Sequence, residues 1–273
     1  RWVSLFITSL IFFCLASYQA VLFLVLGVLI SYVGARIIEE KCKSEKTRKR
    51  AFIITIISEV AELLFLKYAN VLPTTLSGFA SIFNIHFNFT TLNLIIPIGI
   101  SYYTLSIISY VTDVYRKAIP AEKNIFKYSL YACYYPCLVS GPIIRYPEMK
   151  KEFFENEDLD WNNIFQGSHR IIYGLLKKMV IADNIAPVVR MIFADTYVYS
   201  GLNVLIGLLL YALQIYCDFS GCMDIVIGSS KLYGVTLPEN FESPFFSRNL
   251  SEFWRRWHIT LGLWGKDYIM YPM

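Results

Sequence analysis

Between Arg1 and Arg36 the chain carries no charged residue, and two apolar runs, residues 4–18 and 19–38, occupy this opening stretch. A backbone in lipid has no water to bond to, so each N–H and C=O must be satisfied inside the segment; such runs form membrane helices. No basic n-region and small-residue cleavage site mark a signal peptide, so the start reads as mature membrane helix. Both ends of the chain, Arg1 and Met273, read as cut.

Composition agrees with a membrane protein. Hydrophobic residues make up 56% of the 273 and charged residues only 17%, against roughly 25% charged in soluble domains. A mean hydropathy of +0.47 is modest for a chain of lipid-facing spans alone. The 20 tyrosines and 20 phenylalanines therefore point to interfacial or partly buried helices besides the spans. The net charge of +4 is small, and the basic residues gather at the ends of apolar runs, so nucleic-acid binding has little support. Cys14, Cys42, Cys133, Cys137, Cys217 and Cys222 show no spacing with histidines that would hold a metal; they read as buried free thiols, with neither disulfide nor zinc.

After the second run comes "EEKCKSEKTRKR", residues 39–50, with six basic and three acidic residues, expected as a loop beside the membrane. The third apolar run, 51–69, carries Glu59, Glu62 and Lys67. One face of it must meet protein or water, because a lone charge in lipid costs at least ~2.5 kcal/mol. Residues 70–91 contain no Lys or Arg, whereas 113–123 carry Arg116, Lys117 and Lys123. By the positive-inside rule, 39–50 and 113–123 lie in the cytoplasm and 70–91 outside. The "NFT" tripeptide at Asn88 falls on that outer side and counts for little.

Beyond Ile125 the pattern breaks. "YACYYPCLVSGPIIRYPEM" holds three prolines and a Ser-Gly-Pro interruption, which lipid-exposed helix could not carry without orphan carbonyls; the segment is expected to be buried or re-entrant. "ENEDLDWNN" reads as an acidic surface turn. "SHRIIYGLLKKMVIADNIAPVVRMIF" is amphipathic and is expected at the interface, with Lys177 and Lys178 snorkelling toward headgroups.

The run "GLNVLIGLLLYALQIYCDFSGCMDIVIGSSKLYG" starts as a transmembrane helix and then places Gln214, Asp218, Ser220 and Asp224 deep in apolar sequence, with Gly221 as the expected break. Gln214 and Asp218 share a face, as do Ser220 and Asp224. Two readings stand side by side: the carboxylates line a functional polar cavity, or they cap broken helices and satisfy freed backbone groups.

The closing stretch, "NLSEFWRRWHITLGLWGKDYIMYPM", puts three tryptophans, two arginines and a histidine within eleven residues. On one helical wheel Trp254, Trp257, Leu261 and Trp264 form a stripe, Arg255 and Arg256 point elsewhere, and His258 lies at the stripe's edge. A histidine between apolar and cationic surroundings is either a structural hydrogen-bonding residue or a catalytic one. His86 and His169 lack such a context.

Together, "DFSGCMDIVIGSSKLYGVTLPENF" and "SPFFSRNLSEFWRRWHITLGLWGKDYIMYP" resemble the signature of the membrane-bound O-acyltransferase family, in its bacterial branch for alginate O-acetylation and teichoic-acid D-alanylation. "IPIGISYYTLSIISYVTDVYRKAIPAEKN", "YYPCLVSGPIIRYPEM" and "GLLKKMVIADNIAP" resemble that branch in the same order.

The resemblance implies an all-α, polytopic membrane protein with transmembrane, re-entrant and interfacial helices, a family core truncated at both ends. Residues 1–273 would form one membrane-embedded core in a bacterial cell membrane. The implied activity moves an acyl group, acetyl by preference, from a cytoplasmic thioester to hydroxyls of an extracytoplasmic polysaccharide or envelope polymer. No cofactor or metal is implied; the co-substrate is acetyl-CoA or an acyl-carrier protein, and the partners are the bilayer, that donor on the cytoplasmic side and an extracytoplasmic acetyl-transfer protein.

His258 in "RRWH" matches the first of the family's two functional histidines, as base or orienting residue. The second, in a Trp-His-Gly context, is not in this sequence, so the fragment alone is expected to be inactive. A neutral imidazole is required, and desolvation with Arg255 nearby would lower its pKa. Asp218, Ser220, Asp224 and Asn240 would shape a polar chamber beside Arg255, with Trp254 and Trp257 as its walls. The rival readings are a transporter, which should show an internal hydropathy repeat that is not evident here, and a non-catalytic membrane scaffold.

Overall fold

The computed structural model of the chain describes residues 1–18, 21–69, 71, 99–155, 160–195 and 198–271. The expected outer segment 70–91 with Asn88, and His86, lie outside the described residues except for Val71; so do residues 156–159 of the acidic turn. The described chain is helical, and its backbone pairing of strand type is confined to one isolated bridge between Phe241 and Trp257. It divides into two compact units, one of residues 1–139 with 145–147, the other of 140–144 with 148–273.

In the first unit, α1 (Trp2–Ser17) and α2 (Val21–Arg36) are the opening apolar runs, and α2 continues through a π turn, Ile37–Lys41, into α3 (Glu45–Tyr68) after only three residues. The charged stretch 39–50 is thus almost all helix, not the expected loop. Two of its charges have clear partners. Arg36 pairs with Glu40 at 2.8 Å, and Arg48, buried, donates to the Tyr115 carbonyl at 2.5 Å in the last turn of α4 (Ile100–Tyr115), whose free carbonyls attract cations.

The α2–α3 contact is close enough that a Cβ on Gly34 would collide with the Thr55 side chain. α5 (Ile125–Cys133) starts at Asn124, whose side chain accepts from the Phe126 N–H at 2.9 Å, and α6 (Tyr135–Leu138) follows with Pro136 in its first turn.

A tyrosine cluster forms the core here. Tyr110 and Tyr128 lie 4.6 Å apart by ring centroid, Tyr128 donates to Ser31 Oγ at 2.7 Å and Tyr131 to the Ser106 carbonyl at 2.8 Å. These two buried phenols keep a partner, as an orphaned hydroxyl is costly. The first half of the proline-broken segment is buried in this unit as expected, with Cys133, Tyr134, Pro136, Cys137 and Leu138 all buried. The six cysteines are free, Cys14 being exposed on α1.

The second unit contains α8 (Trp161–Leu175) with its π continuation Leu176–Ala182, α9 (Asp183–Ala194) and α10 (Leu202–Leu232), α7 being Tyr146–Phe154. α10 is one unbroken helix of 31 residues, about 46 Å long at ~1.5 Å per residue, and apolar enough to cross a bilayer. Gly221 does not interrupt it. Instead a Cβ on Gly221 would sit 2.8 Å from the Gly174 carbonyl, and one on Gly228 would sit 2.7 Å from that of Gly167. Two glycines seven residues apart on each helix let α8 and α10 run antiparallel in backbone contact. Gly221→Ala is expected to destabilise the protein by roughly 1–3 kcal/mol through overpacking. Gly265→Ala, with nothing within 4 Å of the new Cβ, should leave the thermal midpoint in detergent unchanged or raise it; equal midpoints for the two variants would refute the contact.

Candidate functional site

The closing stretch is not one helix. α11 (Leu250–Arg256) starts at Asn249, whose side chain accepts from the Glu252 N–H at 2.8 Å, and ends where Trp257 turns extended and His258 takes a left-handed conformation at φ 47°. α12 (Ile259–Gly265) then begins afresh and continues as a π turn, Lys266–Met270. The break is imposed by the segment 240–242. Glu242 N–H donates to the Arg256 carbonyl, Ile259 N–H donates to the Asn240 carbonyl, both at 3.0 Å, and Phe241 bridges Trp257. These bonds replace the helical ones that a wheel assumes, so the single stripe of Trp254, Trp257, Leu261 and Trp264 does not form.

Asn240 is fully buried and organises the break. Its Oδ1 accepts from the Thr260 N–H at 3.0 Å and from the Thr260 hydroxyl at 2.8 Å, while its Nδ2 donates to Met223 Sδ at 3.3 Å. A backbone N–H can only donate, so the amide orientation is settled by chemistry. Thr260 Oγ1 in turn accepts from the Ile143 N–H at 3.1 Å. His258 Nδ1 lies 3.3 Å from the same Asn240 oxygen. Since that oxygen only accepts, Nδ1 carries the proton, and in the neutral ring Nε2 carries the lone pair. Among the described residues nothing hydrogen-bonds Nε2. Phe219 from α10 stands edge-on to the imidazole at 4.9 Å, and burial pushes the His258 pKa below its ordinary value. Arg255 is exposed and has no part in that shift, contrary to the expectation from sequence.

The other expected site residues separate into two groups. Ser220 and Asp224 do share a face of α10, and Lys177 reaches both, at 3.4 Å and 2.6 Å. Asp224 also accepts from Arg170 Nε at 3.0 Å. Asp218 pairs with Lys178 at 2.7 Å, as does Asp183. Lys177 and Lys178 thus turn toward these carboxylates and do not snorkel to headgroups: an ion pair against α10 neutralises two charges that would each be costly alone. The carboxylates belong to this network. Trp254 is 59% exposed and does not wall the histidine. Trp257 packs in an aromatic group, stacked on Phe253 at 5.5 Å and edge-on to Phe241 at 5.0 Å.

Besides the Phe219 and Met223 contacts, a charged bridge links the two groups. Arg170 grips Glu239 through two bonds of 2.5 Å, and Glu239 precedes Asn240. Arg170, Lys177, Glu239, Thr260 and Phe219 were not anticipated. A signal for the first two exists in the sequence: Arg170 and Lys177 are seven apart, two turns of one helix face, matching a helix with acids at buried positions. Nothing local marks Thr260 or Phe219, which matter only through the fold.

The model of MBOAT, the membrane-bound O-acyltransferase family, matches residues 2–273. Similar proteins include the probable alginate O-acetylase AlgI of Azotobacter vinelandii, 33% identical over 91% of this chain and 49% of that protein. The peptidoglycan O-acetyltransferase of Helicobacter pylori is 31% identical over 98% of this chain and 55% of its own length. The teichoic acid D-alanyltransferase of Bacillus subtilis is 30% identical over 65% and 45%. The chain spans about half the length of these relatives.

Proposed function

Because the chain belongs to the membrane-bound O-acyltransferase family, we propose that its protein moves an acyl group from a cytoplasmic thioester to hydroxyls of an extracytoplasmic polysaccharide or envelope polymer. Acetyl is the favoured group, since two of the three kinds of similar protein are named for O-acetylation. Acetyl-CoA or an acyl-carrier protein is the donor in this reading, the multi-pass core lies in the bacterial cell membrane with 39–50 and 113–123 on the cytoplasmic side, and an extracytoplasmic acetyl-transfer protein is its partner.

The observation that carries the chemistry is the 3.3 Å contact between His258 Nδ1 and Asn240 Oδ1, which in the neutral ring leaves the lone pair on Nε2. A sugar hydroxyl attacks the thioester carbonyl; the O–C bond forms, the C–S bond breaks, and the hydroxyl proton passes to Nε2 and then to the leaving thiolate. General base catalysis of this kind contributes typically ~10²–10⁴-fold. With its proton on Nδ1 the neutral ring cannot donate a hydrogen bond from Nε2 to the carbonyl oxygen, so the geometry favours a base over an orienting donor.

Full-length protein in proteoliposomes with labelled acetyl thioester on the cytoplasmic side tests the reading. Thioester-dependent ester formation on a polysaccharide acceptor is expected; translocation of substrate without ester formation means a transporter, and neither means a scaffold.

The lowered pKa of His258 has a direction in both rate and stability. The folded protein binds fewer protons at this site than the unfolded chain, so its stability is fully present above the ordinary imidazole value, about 6.5, and declines as pH falls below it toward the lowered folded value. The acidic limb of kcat/KM should correspondingly have its midpoint below about 6.5. A limb centred above that value would contradict burial as the controlling influence on the base.

A further inference from the structure

Away from His258, in the first unit, α3 carries two carboxyl groups that the proposed acyl transfer does not use. Glu59 is 1% exposed, and among the described residues its Oε1 has no hydrogen-bond partner; both carboxyl oxygens of Glu62 are likewise buried and without one there. The two groups converge on one point of α2: a Cβ placed on Gly27 would lie 3.4 Å from Glu59 Oε2 and 3.2 Å from Glu62 Oε2. From α4, Tyr103, 3% exposed, brings a hydroxyl that also lacks a hydrogen-bond partner and lies in the electrostatic field of both carboxylates. Lys67, the nearest cation in sequence, is exposed, and among the described residues no ion pair reaches Glu59 or Glu62.

Unpartnered buried oxygens on three helices are costly, and each calls for an explanation. Among the described residues no hydrogen bond joins the phenol to either carboxyl group. A water could satisfy one or two of these oxygens but would leave the charge in place, and a proton on a carboxyl removes its charge but leaves the remaining oxygens without a partner. A hard cation is the species that oxygen donors of this kind select, and it removes charge while satisfying several oxygens at once. Gly27 lets both carboxyl groups approach α2 closely, since any side chain there would press on both.

We propose that Glu59, Glu62 and Tyr103 form a binding site for a hard monovalent cation such as Na⁺, set between α2, α3 and α4 and separate from the His258 site.

The test is binding of ²²Na⁺ to the full-length protein in detergent micelles, with choline holding the ionic strength constant. Wild type is expected to bind saturably. Glu59→Gln combined with Glu62→Gln should weaken binding by at least ~10-fold, and Tyr103→Phe by less, as loss of ligands to a metal site does. A second measurement needs no variant: dicyclohexylcarbodiimide, which modifies protonated carboxyls in apolar surroundings, should label Glu59 or Glu62 more slowly in NaCl than in choline chloride, as located by mass spectrometry. Absence of saturable Na⁺ binding by wild type overturns the proposal, as does binding that survives in the double Gln variant. Labelling at one rate in both salts, or at neither residue, overturns it as well, since the carboxyls would then hold protons only.

Discussion

Replacing His258 with Gln in the full-length protein is expected to lower acyl transfer by at least ~10²-fold while the amount of folded protein stays unchanged. Gln is close to His in size and can keep a hydrogen bond to Asn240 Oδ1 through its amide N–H₂, so the junction between α11 and α12 should hold. What it cannot do is accept a proton at neutral pH. Three outcomes separate three roles. If His258 is the base, Gln and Ala both abolish most of the rate. If it only orients substrate, Gln retains much of the activity that Ala loses. If it merely supports the turn at 257–259, Ala reduces folded yield and the activity per folded molecule remains. Normal specific activity in both variants would remove His258 from the mechanism. Asn240→Leu offers a companion measurement, because it deletes the acceptor for Thr260 and His258 together and should lower both folded yield and rate.

Asp224→Ala should be the most damaging single change for folding, at roughly 3–5 kcal/mol, the usual penalty for removing one partner from a buried ion pair. The Asp224 side chain is 11% exposed and that of Lys177 12%, so the lysine would be left with Ser220 as its remaining polar contact on α10. Net stabilities of whole domains are only ~5–15 kcal/mol, so folded yield in detergent and the thermal midpoint should both fall sharply. Asp224→Asn keeps an acceptor for Arg170 and should fall between the variant and wild type. Activity per folded molecule should decline far less than with His258→Gln, because Asp224 faces Lys177 and Arg170 and not the imidazole. A wild-type midpoint for Asp224→Ala would show that the network adds nothing to stability.

Much of the molecule was legible in the amino-acid sequence because its signals are local. An apolar run long enough to be helix is helix whatever surrounds it, which is why α1, α2 and α10 fall where the hydropathy puts them. The prolines and the Ser-Gly-Pro interruption likewise marked a segment that had to be buried in protein. The four-residue spacing of Ser220 and Asp224 placed both on one face, and a single cation, Lys177, meets them there. Family membership was readable for a similar reason: long motifs in order survive in the sequence itself.

What the tertiary structure alone decided lies in contacts between distant residues. Whether Gly221 breaks α10 or admits Gly174 depends on a partner helix tens of residues away, and backbone contact favoured a continuous helix. Lys177 and Lys178 could serve headgroups or carboxylates equally well by pattern; proximity to α10 settled it, because an ion pair against a helix removes two desolvation costs at once. The wheel drawn through residues 249–273 failed because Asn240 and Glu242 supply hydrogen bonds that compete with those of the helix, and a competing partner cannot be seen from periodicity. A separate contact, from the Asn240 side-chain oxygen to Nδ1, fixes which imidazole nitrogen of His258 bears the proton. Residue pattern left His258 open between a structural and a catalytic role and the family resemblance singled it out; only the fold placed an acceptor oxygen at its Nδ1.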